Sequence, residues 1–427
     1  MTAIVGVLNK HGIAIAADSA VTMGDTHKVV NSGNKIFTLS YHNPIAIMTY
    51  NAADFMGVPW EIIIKQYRKH LDKKSFAHID GYISDFIKYL SGLPYLLDGK
   101  VQHNALLAHI ISFYKFHFEK VYREAKANKM PFDIQDPNTY YMLKDNMEKV
   151  NKEIIGIGVC EEFNDYKLED FLKYSKAEFD TFFKMSNPPF PIIIPCHERE
   201  WFKKIFFNYL RSKSSLTTFT GLVFTGYGDD DIYPSLMSLR IFLFVDGKVN
   251  YYIEDERTCH ISDEHNACIA PYAQSDVIQT ILGGMYPGFG IIIKEAIKSS
   301  VDAYDGNVRN LVKSSPQYSG LTHELDKFDK DNLVDKVNKL IQKRMFNDYT
   351  QKLIGTVANL DKEDMANMAG SFISLTSLVR RMSPHEETVG GPVDVAVISK
   401  GDGFVWINRK HYFRPEFNPH FFRNLNN

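Results

Sequence analysis

The residue best placed to do chemistry in this chain is the threonine at position 2. Once Met1 is removed, Thr2 carries a hydroxyl and a free α-amine on one residue, and it is small enough to permit that removal. An amine beside a hydroxyl can take its proton as the oxygen attacks a carbonyl, so an N-terminal threonine serves as an activated nucleophile. The unperturbed α-amine pKa of about 7.7–8.0 makes it a usable base near neutrality without a histidine. Other candidate motifs fail on spacing. His197-Glu198-Arg199-Glu200 lacks the second histidine of a zinc-binding helix. Asp329-Lys330-Asp331-Asn332 lacks the glycine and terminal glutamate of a calcium loop. Gly283 to Gly290 matches neither a phosphate loop nor a dinucleotide fingerprint, and Asp229 to Asp231 reads as a solvated turn. No metal, nucleotide or other cofactor is expected.

Positioning a nucleophile at the start of a chain requires a strand that begins there. Residues 2–8 and 13–17 read as two strands joined by the Gly-containing connection Lys10-His11-Gly12. Two more, 35–39 and 45–49, flank the turn His42-Asn43-Pro44. Helical periodicity follows, with Trp60, Ile63, Ile64 and Tyr67 on one face and Pro59 suited to a first turn. Residues 75–215 are mostly helical, with a short strand at 154–159 and a Pro-rich break at 188–195. A second strand set runs through 222–228, 239–245, 249–254 and 260–270, with Asp246-Gly247 as a hairpin signal. Helices occupy 275–282 and a charged stretch to about 358. Asp361 caps a further helix bearing Met365, Met368, Phe372, Leu375, Val379 and Met382 on its apolar face. Residues 393–399 and 404–408 close the chain as a hairpin around Gly401-Asp402-Gly403. Strands feeding helices in this way predict a layered α+β fold.

Composition narrows the class. The 427 residues are 44% hydrophobic and 23% charged with a net charge of −2, which is ordinary for a globular protein with a full core. That balance gives no electrostatic drive toward nucleic acid or an acidic membrane surface. Cysteines 160, 196, 259 and 268 are too scattered for a disulfide framework or a CxxC zinc site, which fits a reducing cytoplasm. No stretch has the roughly 18–20 apolar residues of a membrane span, nor does a secretory leader pattern open the sequence. A cytoplasmic protein is expected.

The order of these segments resembles the N-terminal nucleophile (Ntn) hydrolases, in particular the proteasome β subunits and the bacterial HslV-type peptidases. Thr2 matches the nucleophile, and Asp18 follows at the family's spacing in Ala16-Ala17-Asp18-Ser19. Gly33-Asn34-Lys35-Ile36 matches the segment of the catalytic lysine, and Asn51-Ala52-Ala53-Asp54 the helix start after the oxyanion turn. Thr225 to Gly228 and Val245 to Gly247 match the paired central strands. Ala270 to Ser275 matches the turn that supplies a serine, and Glu386 to Val395, with Gly390-Gly391, the turn before the closing strands. The resemblance implies a four-layer αββα sandwich with large helical insertions. Its parts are a first half of the core at 1–74, a mainly helical insertion at 75–215, the second strand set at 216–290, a helical insertion at 291–360, and the closing helix, strands and tail at 361–427.

It also implies a threonine-type peptidase or amidohydrolase. Lys35, as an ammonium beside the Thr2 amine, would keep that amine a base, and Asp18 would hold Lys35. Peptide N–H groups near Tyr50 and Asn51 would face the oxyanion, and Ser275 and Glu386 would orient the amine or relay protons. A peptide or protein substrate and a homo-oligomeric ring belong to the same picture, without nucleic acid or membrane, and the sequence leaves any ATPase partner open. Several positions depart from the pattern. Tyr50 stands where the family has glycine, Val389 replaces a serine, Glu386 replaces an aspartate, and Ala270 to Ser275 contains Pro271 and no glycine. A catalytically inactive assembly or binding protein is one alternative, and a small-molecule amidase of the same superfamily is another.

Overall fold

Near-continuous apolar runs at the head of the chain form β1 (Ala3–Asn9) and β2 (Gly12–Ala17), in which every residue is buried. The computed structural model describes residues 2–23, 28–185, 191–214, 218–314, 316–383, 389–411 and 413–418. Short hairpin strands β3 (Val21–Met23) and β4 (Lys28–Val30) come next, followed by β5 (Ile36–Thr38), β6 (Ile45–Asn51), β7 (Asp54–Phe55) and β8 (Val58–Pro59). After a long helical stretch the chain forms β9 (Thr220–Gly226), β10 (Ser235–Val245), β11 (Lys248–Ile253), β12 (Cys259–His260) and β13 (Ala267–Ala273). It finishes with β14 (Asp394–Ser399) and β15 (Gly403–Asn408). Helices and antiparallel sheets together make an α+β protein.

Two compact units divide the chain. Unit 1 comprises Met1–Gly33, Ile261–Val397 and Trp406–Asn427, and unit 2 comprises Asn34–His260 and Ile398–Val405. A five-stranded sheet in the order β13-β1-β2-β14-β15 carries unit 1. Its central ladder pairs Ala3 with Ala273 on one side and Ile4 with Ala17 on the other. Helices Asp276–Gly283 and Lys362–Met382 cover it, burying Ile278, Met365, Ala369, Phe372 and Ile373 against Val5, Val7, Ala14, Ala16 and Val395. The buried Asn9 amide donates to the carbonyls of Val357 and Leu360, both at 2.8 Å, and so ties the end of β1 to the approach of the second helix. Asp361 caps that helix as expected, accepting from the Asp364 amide at 2.8 Å. Asp361→Ala should lower the stability of the protein by about 1 kcal/mol, read as a shift in denaturant midpoint. The helix Pro287–Ser314 buries no residue, and Ile291, Ile292, Tyr304 and Leu311 on it are all more than half exposed.

Unit 2 holds a six-stranded sheet ordered β11-β10-β9-β6-β5, with β12 paired to β10. Asp246 and Gly247 both take positive φ, 49° and 74°, as a two-residue hairpin of the mirror-image turn type requires. Helices Trp60–Leu71 and Ile79–Ser91 pack Trp60, Tyr67 and Phe86 against Phe224, Leu239 and Phe244. A second apolar core gathers Phe113, Phe171, Phe202 and Phe206 from the helices between 99 and 210. The strand expected at 154–159 is absent: the helix Pro137–Ile157 runs through most of it, because Val150 and Ile154 continue that helix's buried face. Only Val159 pairs in strand fashion, with Ser212. The expected strand at 260–270 also divides, into β12 in one sheet and β13 in the other.

His117 is wholly buried in this second core, with Nδ1 2.8 Å from Oδ1 of Asn146, and burial pushes its imidazole down to about 4. An unfolded histidine takes up its proton near pH 6.5, so the unfolded state binds more protons as pH falls from there toward 4. Stability is therefore lost across that window, by up to about 1.4 kcal/mol per pH unit for each such group. Denaturant midpoints measured from pH 7 to 4.5 should show this slope, and His117→Gln, which keeps an amide to meet Asn146, should flatten it.

Candidate functional site

Strand register brings the front of the chain to the Ser275 segment. Because Ala3 pairs with Ala273, Thr2 falls opposite Gln274, and the Gln274 amide donates to the Thr2 carbonyl at 3.0 Å. Thr2 is 6% exposed. The Ala270 to Ser275 stretch expected as a turn is strand as far as Ala273. The strand pairing overrides Pro271, and only Gln274 and Ser275 make the bend, helped by a φ of 60° at Ala273. Ser275 is half-buried at the N-cap of helix Asp276–Gly283, yet its hydroxyl makes no capping bond. Its neighbour Asp276 pairs with Arg380 of the helix Lys362–Met382, which fixes the start of that short helix.

Asp18 lies beneath the start of β1, 1% exposed. Its Oδ1 accepts from the Ala3 amide at 2.9 Å, and its Oδ2 from the amides of Ala20 at 3.1 Å and Gly390 at 3.2 Å. The Asp18 amide in turn donates to the Ala3 carbonyl at 3.2 Å. Three N–H donors supply what a buried carboxylate needs to offset its lost hydration. The backbone next to Thr2 is thus held on both edges, by Asp18 and by β13.

Ser19 is the residue that sequence reasoning overlooked. Its amide donates to the Gly390 carbonyl at 3.0 Å, its hydroxyl donates to the Pro392 carbonyl, and its own carbonyl accepts from the Gly33 amide at 3.0 Å. Two glycines permit this clasp. A Cβ on Gly33 would lie 2.3 Å from Cγ2 of Val21, and one on Gly391, at φ 75°, would lie 2.8 Å from Cβ of Asn31. The signal was present in the sequence as Ala-Asp-Ser and Gly-Gly, but nothing local links segments some 370 positions apart.

Lys35, Tyr50 and Asn51 belong to unit 2. Lys35 is 4% exposed, and its carbonyl accepts from the Thr49 amide at 2.9 Å, which aligns the start of β5 with β6. Tyr50 points into the unit. Its ring lies across Gly221, where an added Cβ would come within 1.9 Å of it, and its hydroxyl donates to Oε2 of the buried Glu254 at 3.0 Å. Glu254 also accepts from the Ser238 hydroxyl at 2.7 Å and pairs with Arg240 at 2.6 Å. Burial, followed by the Glu254 charge, raises the Tyr50 phenol above its ordinary range, so it stays a neutral donor. The departure from glycine at this position is therefore absorbed by the absence of a side chain at 221. Asn51 ends β6 with a φ of 72°. Its side-chain amide and the Ala52 amide both donate to the Phe219 carbonyl, at 2.8 and 3.2 Å. Glu386 lies outside the described residues, while Val389 and Gly390 are both buried.

Among the described residues no group of three or more histidine, cysteine, aspartate or glutamate side chains is placed to hold a metal ion. Nor is any single helix among them long and apolar enough to cross a membrane. No family model matches the sequence, and no curated protein matches it. Among solved structures, the chain is similar to the Gly-1 mutant of Anbu from Hyphomicrobium sp. strain MC1, with a TM-score of 0.28 and 9% identity over 100% of this chain and 92% of that one.

Proposed function

We propose that this protein is an N-terminal threonine hydrolase of the Ntn type, a proteasome-like peptidase working through an acyl-enzyme on Thr2. The observation that carries the reading is the grip of the buried Asp18 carboxylate on the Ala3 amide, one residue from the nucleophile, with Gln274 and Gly390 brought to the same place. In this mechanism the Thr2 oxygen attacks an amide carbonyl while the freed α-amine takes its proton. The tetrahedral oxyanion collapses, the departing amine takes that proton, and an ester on Thr2 remains for water to cleave. The resemblance assigns the Lys35 ammonium to the Thr2 amine, where a like charge favours the neutral base. The four-layer stacking belongs to the same proposal and rests on the resemblance. A peptide or protein substrate and assembly into a ring complete it.

The 6% exposure of Thr2 favours a second reading, a silent binding protein on the same scaffold. Intact mass of the protein purified from its own cells, combined with turnover of fluorogenic peptides, separates the two. The hydrolase reading expects loss of Met1, turnover, and an acyl ester trapped on the Thr2 peptide. Protein that keeps Met1 and hydrolyses nothing supports the binding reading.

A further inference from the structure

A cavity of about 440 Å³ opens within unit 2, beside Tyr50 and Asn51 but lined by neither. One wall is a single face of the helix Gly99–Ala127, where Val101, Ala105, Ala108 and His109 recur at three- and four-residue steps. The opposite wall is Phe219, at the entry to β9, and Phe242 on β10, whose rings meet at 6.2 Å and 48°. These rings are already fixed. Phe219 is held edge-on by Tyr50 at 6.2 Å and lies under the Arg240 guanidinium at 4.6 Å, while Phe242 stacks on Tyr252 at 6.0 Å. At the rim the Tyr95 hydroxyl donates to the Met56 carbonyl at 3.4 Å. The space persists because residues 52, 57, 105 and 108 are alanine or glycine.

The lining also selects for charge. Burial pushes the His109 imidazole down to about 4, so at neutral pH it carries no charge. Asp54 at the edge disfavours an anion, and its Oδ1 already accepts from the Gly57 amide at 2.9 Å. Asn104, Thr218 and Thr220 add neutral polar groups to the lining, and a cleft of this size with preset aromatic rings and convergent uncharged polar groups has the character of a small-ligand site, in which ring against ring is the contact offered best.

We propose that this cavity binds a neutral aromatic group, supplied by a free phenol or by the aromatic side chain of a peptide. This goes beyond the hydrolase reading and needs neither Thr2 nor Lys35. The test is titration of the full chain with p-cresol and, separately, N-acetyl-L-tyrosinamide, followed by saturation-transfer NMR and by amide shifts at Thr218 and Phe219. Saturable binding of p-cresol alone identifies a small-molecule site, and binding of both identifies a peptide side-chain site. Ala108→Trp puts a ring into the cavity from an exposed helix position and should weaken binding about tenfold or abolish it. Ala105→Leu provides a second, smaller obstruction should the tryptophan disturb folding. Absence of saturable binding by either probe overturns the proposal, as does equal binding by folded forms of both variants.

Discussion

On the hydrolase reading, Thr2→Ala is expected to abolish amide hydrolysis while leaving the protein folded. The residue's structural work is done by its backbone, since the Thr2 carbonyl takes the Gln274 amide and the Ala3 amide holds Asp18. Alanine preserves both contacts and removes only a hydroxyl and a methyl. Loss of an attacking oxygen typically costs a nucleophilic enzyme about a thousandfold or more in turnover, far beyond what a small cavity does. Thr2→Ser keeps an oxygen on the same carbon and should retain a measurable fraction. Peptide turnover and a thermal melt on each variant make the comparison, and a folded alanine variant with unchanged turnover would exclude Thr2 as the nucleophile.

Asp18→Ala should be the most destabilising single change near the site. Three buried amides, those of Ala3, Ala20 and Gly390, would lose their acceptor together. At about 1–3 kcal/mol for each unsatisfied buried donor, with water relieving part of it, the loss should reach roughly 3–6 kcal/mol, a large share of the roughly 5–15 kcal/mol that holds a domain. Asp18→Asn keeps one carbonyl oxygen but turns an N–H toward a donor, so it should fall between. Denaturant titration of the three proteins gives the order directly. A loss below about 1 kcal/mol for the alanine variant would mean that the carboxylate does not hold this backbone.

Much of the architecture can be read from the sequence because it is local. The hairpins at Gly12 and Asp246-Gly247, the cap at Asp361 and the helix from Lys362 to Met382 each follow from a few neighbouring residues. What failed to show was long-range. Residues 154–159 look strand-like by β-branching, but a helical face established over the preceding turns continues through most of them. The Ala267–Ala273 segment looks like a continuation of the second strand set, yet it pairs with β1, more than 250 positions earlier. Tyr50 reads as an obstruction until Gly221, 171 positions away, is found beneath it. At the candidate site, Thr2, Asp18 and the Ser275 segment converge in unit 1, whereas Lys35 belongs to unit 2 and Glu386 lies outside the described residues.

The clasp around Ser19 bears on how sequence signatures should be weighed. Gly33 and Gly391 are held to glycine by steric necessity, one by Val21 and the other by Asn31 and its backbone angle, whether or not any bond is ever cut. A relative with no catalytic role at all would still need both. A survey of distant sequences that counts those two glycines as marks of enzymatic competence would sweep in every chain that keeps the clasp, with or without chemistry.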